Sequence, residues 1–88
     1  MVITLYSTSQ CDKCKKLATF LSSKGIEVNV LVTDKNTKAR SAAAMDKVLS
    51  VPVLKKENGK LMRMKNIFVD PTGSVINETA VLNFVTEE

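Results

Sequence analysis

Ser9-Gln10-Cys11-Asp12-Lys13-Cys14-Lys15-Lys16 is the stretch on which the fold turns. Its two thiols are the chain's only cysteines, with two residues between them. Ahead of it runs Val2-Ile3-Thr4-Leu5-Tyr6, a continuous apolar segment of the kind buried on both faces of a sheet. Behind it, Cys14, Leu17, Ala18 and Leu21 fall at i, i+3, i+4 and i+7, with Phe20 widening the stripe. That spacing predicts a helix over 12–24, with Lys24 in its last turn and Gly25 just past its end. The cysteine pair therefore lies where a strand turns into a helix, with Cys11 at the helix start.

That placement has chemical consequences. The thiolate is the reactive form of cysteine, and a free thiol is mostly protonated at neutral pH. A helix N-terminus presents unpaired N–H groups and partial positive charge, which favour an anion. Lys13, Lys15 and Lys16 add positive charge, and Asp12 opposes them. Cys14, three residues on, lies one turn deeper on the same face. It is placed to attack a mixed disulfide formed on Cys11, as thiol–disulfide exchange requires. Cys11 and Cys14 are thus the candidate catalytic pair. The alternatives are two inert buried thiols, a zinc site sharing two cysteines from each of two chains, or a bridged iron–sulfur cluster. A closed zinc site within one chain lacks ligands, because there is no histidine and no third cysteine.

Eighty-eight residues, 44% of them hydrophobic, suit one domain spanning 1–88 with a single core. Two cysteines are too few for a secreted disulfide scaffold. No apolar run approaches the ~20 residues of a membrane span. The N-terminus has no basic region leading into a long apolar one, so no secretory leader is expected. The expected setting is the cytoplasm, where a vicinal dithiol is usually catalytic. The net charge of +4 comes from scattered lysines. With one tyrosine and three phenylalanines for stacking, nucleic acid is not an expected partner.

Further along, Ile26, Val28, Val30 and Val32 alternate with their neighbours, which predicts a second strand. Strand, helix and strand so close together imply a right-handed parallel crossover. Asp34, Asn36 and Thr37 are cap candidates for a second helix over 38–49. Ala39, Ala42, Ala43, Met45, Val48 and Leu49 supply its apolar face. Ser50-Val51-Pro52-Val53-Leu54 follows, with the proline suited to a strand start.

Tyr6-Ser7-Thr8-Ser9-Gln10-Cys11-Asp12-Lys13-Cys14 together with Val51-Pro52-Val53 resembles the glutaredoxins and the small glutaredoxin-like hydrogen donors of ribonucleotide reductase. The resemblance implies a thioredoxin-like α/β fold: a mixed four-stranded sheet flanked by about three helices, with room for an extra hairpin. It also implies a cis peptide bond before Pro52, with Pro52 packed against the thiols. A trans proline at a strand start is the plain alternative. By the same resemblance, the backbone of Val51 would pair with the substrate in a short strand-like contact. Val51, Pro52, Lys13 and Tyr6 are then the candidate substrate-binding residues, although Tyr6 equally suits the core.

Beyond residue 54 two registers fit. Val53-Leu54-Lys55-Lys56 and Leu61-Met62-Arg63-Met64 flank Asn58-Gly59, a strong hairpin signal. Ile67-Phe68-Val69 and Ser74-Val75-Ile76 flank Asp70-Pro71-Thr72-Gly73, which suits a type I turn. Either Pro52 opens the third strand, or the second pair is the family's closing hairpin, which puts Lys65 in the proline slot. A last helix is expected over 78–85, with Asn77 as cap and Val81, Leu82, Phe84 and Val85 inward.

The resemblance implies an enzyme that reduces a disulfide-containing protein substrate, for example as electron donor to ribonucleotide reductase. It would act as a monomer, with glutathione or a thioredoxin-reductase-type flavoenzyme as reductant and no bound cofactor. The rival is a protein-interaction or iron–sulfur module without turnover. Two departures from the family stand out. Asp12-Lys13 replaces the usual Pro-Tyr. Ile76-Asn77-Glu78-Thr79 lacks the glycines that precede the helix whose N-terminus holds a glutathione carboxylate.

Overall fold

The first apolar run forms strand β1 (Ile3–Ser7), in which Ile3, Leu5, Tyr6 and Ser7 are all buried. The computed structural model describes residues 3–48, 50–70 and 72–86. Helix α1 (Asp12–Ser23) follows and buries Cys14, Leu17 and Leu21. Gly25 takes φ +74° just past its end, the left-handed conformation that helix termini favour. Strand β2 (Val28–Val32) then pairs parallel with β1, from Ile3 opposite Val28 to Ser7 opposite Val32.

Helix α2 (Thr37–Met45) is capped by Asn36, whose side chain accepts the N–H groups of Lys38 and Ala39. It is shorter than the spacing predicts. Lys47 turns left-handed at φ 56° and closes the helix, its N–H donating to the Ala44 carbonyl at 3.1 Å. Ala39 and Ala43 face inward, whereas Met45 is 85% exposed rather than part of an apolar face. Leu49, expected on that face, lies outside the described residues.

The bond between Val51 and Pro52 is cis, and Pro52 directly precedes strand β3 (Val53–Lys55). This strand runs antiparallel to β1, placing Leu54 opposite Leu5 and Val53 opposite Tyr6. The Asn58-Gly59 turn joins it to β4 (Leu61–Met62), with Gly59 at φ +91°. The sheet order is β2-β1-β3-β4. Pro52 therefore opens the third strand, and Lys65 does not occupy the proline slot. Lys65 lies instead in a short helix, α3 (Met64–Ile67).

The second expected hairpin forms only in shortened form: the Gly73 N–H donates to the Asp70 carbonyl at 3.2 Å across the turn, the Val69 N–H to the Val75 carbonyl at 2.9 Å and the Asn77 N–H to the Ile67 carbonyl at 2.7 Å. Ile67 is the last residue of α3, so the strand-like stretch begins only at Phe68. The chain turns helical to bury Ile67, and a single bridge between Phe68 and Ile76 is what remains of strand pairing. Pro71, expected in the turn, lies outside the described residues. Helix α4 (Glu78–Thr86) closes the chain, with the Asn77 side chain accepting the Ala80 N–H at 3.3 Å. Among the described residues four helical segments thus flank the sheet, against about three expected.

Residues of β1 and β3 alternate between two cores. Ile3, Leu5 and Leu54 pack with Leu17 and Leu21 of α1 and Val81 and Val85 of α4. Tyr6 and Val53 pack on the other face against Ala43 of α2. The sheet is sandwiched, as parallel β-α-β crossovers require.

Candidate active site

Cys11 and Cys14 are joined as a disulfide at the start of α1, with Cα atoms 5.2 Å apart. Cys11 is the N-cap residue, and its Sγ accepts the backbone N–H of Cys14 at 3.1 Å. One of the helix's free donors is thus aimed at this sulfur, with the positive end of the helix dipole behind it. The two thiols differ sharply in access. Cys14 is 2% exposed, packed on the inward face of α1, whereas Cys11 is only partly buried.

Cys11 opens into a cleft of about 340 Å³ lined by Thr8, Gln10, Asp12, Lys13 and Val51. Two of the sequence-derived binding residues, Lys13 and Val51, therefore share one cleft with the exposed sulfur. Val51 is partly exposed, and its backbone makes no hydrogen bond to another described residue. Pro52 is fully buried beneath it. A wider concavity, about 640 Å³ between α1 and β2, holds no thiol.

Tyr6 does not wall the site. It is 1% exposed on the α2 side of the sheet, and its hydroxyl donates to Asp46 Oδ2 at 2.6 Å. Its position in β1 fixes this outcome. Leu5 faces α1, so Tyr6 must face α2.

Several supports escape a reading of the sequence. Asp34, a cap candidate for α2, instead holds the turn before Cys11. Its two carboxylate oxygens accept the Ser9 N–H at 3.0 Å and the Ser9 hydroxyl at 2.6 Å. The Ser9 hydroxyl bond is the main reason its carboxyl is held below the usual carboxylate range. The loop from Asp70 to Ile76 packs along α1. Lys16 Nζ donates to the Ser74 carbonyl at 2.5 Å. The stem of Lys13 lies across Gly73, so closely that a Cβ there would sit 2.6 Å from Lys13 Cδ and Cε. The glycine at 73 is the one sequence signal that this loop needs room, and it gains meaning only once α1 lies beside it.

The fold is that of thioredoxin-like proteins. The thioredoxin-like protein BC3987 superposes with a TM-score of 0.63 at 21% identity, over 68% of this chain and 82% of that one. A single-residue variant of that protein gives 0.67 at 16% identity, over 96% and 92%. Glutaredoxin grx-1 from Archaeoglobus fulgidus gives 0.61 at 20% identity, over 98% and 86%. No curated protein matches significantly in sequence. The family model for glutaredoxin matches residues 3–61, from the start of β1 to the start of β4. The chain belongs to the glutaredoxin family, and with its Cys11–Cys14 pair it is a thiol oxidoreductase in general terms.

Proposed function

We propose that this protein reduces disulfides of protein substrates through the Cys11–Cys14 dithiol. The supporting observation is the unequal access of the two sulfurs, one opening into a cleft and the other sealed one turn deeper. In the reduced protein, the Cys11 thiolate attacks one sulfur of the substrate disulfide. A Cys11–substrate disulfide forms, and the other substrate sulfur leaves as a thiolate that takes a proton from water. Cys14, as thiolate, then attacks the Cys11 sulfur and releases the second substrate thiolate. The substrate gains two electrons, and the protein is left as the Cys11–Cys14 disulfide. Lys13 and the start of α1 favour the Cys11 anion. Val51 supplies a strand-like contact that aligns the substrate above Pro52. Ribonucleotide reductase is one substrate of this chemical kind.

The returning electrons come, in this reading, from a thioredoxin-reductase-type flavoenzyme rather than glutathione. One of the α4 donors that would receive a glutathione carboxylate is engaged within the chain, as are two N–H groups of the loop before it. Asp70 accepts the N–H groups of Ser74 and Val75, and Asn77 accepts one at the start of α4. Glu78 adds negative charge there. The cycle suits the reducing cytoplasm.

A disulfide-reduction assay tests both parts. Cys11→Ser is expected to lose all turnover, and Cys14→Ser to trap a mixed disulfide. Turnover supported by flavoenzyme is expected to exceed that supported by glutathione and its reductase. Full activity of Cys11→Ser defeats the proposal.

A further inference from the structure

Beside the thiol cleft, on the α2 side of Val51-Pro52, lies a second cleft of about 480 Å³. It is lined by Lys47, Ser50, Val53, Arg63, Met64 and Lys65. Three of these residues are cations, and no acidic residue lines it. Ser50 and Val53 directly bracket the Val51-Pro52 step, so the two clefts flank one short segment of chain. Arg63 is fixed in place, its two terminal nitrogens donating to the Lys47 carbonyl at 3.0 Å and the Asp46 carbonyl at 3.1 Å. Both acceptors are neutral carbonyls; the nearby Asp46 carboxylate, paired with Lys55, also feels the Arg63 charge. The ion pair formed among the described residues is Lys55 with Asp46, and it involves none of Lys47, Arg63 and Lys65.

We infer that this cleft selects substrates carrying acidic side chains close to the target disulfide, with Lys47, Arg63 and Lys65 as the specificity-determining residues. The inference rests on the disulfide exchange proposed above. A peptide paired with Val51 carries its neighbouring side chains alternately to either side of the contact. Those on the α2 side meet the three cations, and a carboxylate there gains their attraction. Arg63 is held ready with donors to spare, whereas the two lysines adapt as mobile point charges.

The test uses three disulfide peptides, identical except for the residues flanking the target cysteine: glutamate, glutamine or lysine. Exposed ion pairs are individually weak, so two or three together should make the glutamate peptide about three- to tenfold better than the glutamine peptide in kcat/KM. The lysine peptide should be worst, and the spread should shrink as salt is raised. In Lys47→Gln/Lys65→Gln the glutamate-to-glutamine ratio should fall by at least half, Arg63 accounting for what remains. Lys24→Gln/Lys60→Gln removes the same net charge at the far end of α1 and in the β3–β4 turn, and should keep the preference. Equal rates on all three peptides overturn the inference while leaving disulfide exchange intact. A preference left undiminished by Lys47→Gln/Lys65→Gln also overturns it and assigns selection to the lysines of α1. Failure to reduce any peptide overturns the exchange reading and this inference with it.

Discussion

Tyr6 shows how one side chain can be wrongly assigned from sequence and still matter. Burial first, then its bond to Asp46 and the charge of that carboxylate, push its ionisation from 10 up to about 12. The raised value means that the folded state holds the phenolic proton more tightly than the unfolded chain. The contribution is complete below pH 10 and is lost as pH rises toward about 12, because only the unfolded chain ionises in that window. Tyr6→Phe removes the hydroxyl and leaves Asp46 with Lys55, so a loss of about 1 kcal/mol is expected at neutral pH. The variant has no tyrosine at 6 to titrate. The gap between wild type and variant in urea unfolding should therefore narrow between pH 8 and pH 11. A gap that stays constant contradicts the burial argument. Reduction rates should not change, since the ring lies on the sheet face away from α1. The sequence could place Tyr6 in a strand, but its side of the sheet depended on which face α1 would cover.

At the scale of elements, segments with strong local signals were legible and those fixed by tertiary partners were not. The β1–α1–β2 unit, the capping of α1, the Asn58-Gly59 hairpin and the cap at Asn77 follow from apolar period and turn chemistry. The strand beginning at Pro52 and its cis bond came from the family resemblance. The segment 64–76 was legible in part: its turn and a short antiparallel pairing form, but Met64–Ile67 is helical and the paired stretch is cut to one bridge. What organises it is Asp70, whose carboxylate binds the Thr72 hydroxyl and the N–H groups of Ser74 and Val75. A side chain that satisfies its own loop limits how far strand pairing extends, and the sequence carries no mark of where that limit falls. The Thr72 bond first, then the Val75 N–H, lower the Asp70 ionisation to about 2. A lowered value means that the loop's anchor is intact above 3.8 and is lost as pH falls through about 2. The Ser74 and Val75 amide resonances should therefore titrate with a midpoint near 2. A midpoint at the ordinary carboxylate value, 3.8, would show that the loop is not built on this residue. Because Lys13 lies over Gly73, loosening the loop should also disturb the rim of the thiol cleft.

Across the whole molecule, stability is concentrated in the middle of the sheet and chemistry at its edge. β1 has a hydrogen-bonded neighbour on each side and contributes Ile3, Leu5 and Tyr6 to the interior, whereas β2 is an outer strand whose Val30 is 45% exposed. The alternation read from 26 to 33 identified a strand but could not tell that it would be an edge. A domain of this length should have a total stability of roughly 4–13 kcal/mol. Leu5 is fully buried between the sheet and α1, so Leu5→Ala leaves a cavity expected to cost about 2–5 kcal/mol. That is a large share of the total, and the variant should be partly unfolded at 37 °C. Val30→Ala should change stability by less than about 1 kcal/mol, because the side chain is already half in water. Urea unfolding with matched slopes measures both. If the two variants lose similar stability, the sheet is not organised around β1, and the platform presenting Cys11 and Val51 would need another source of rigidity.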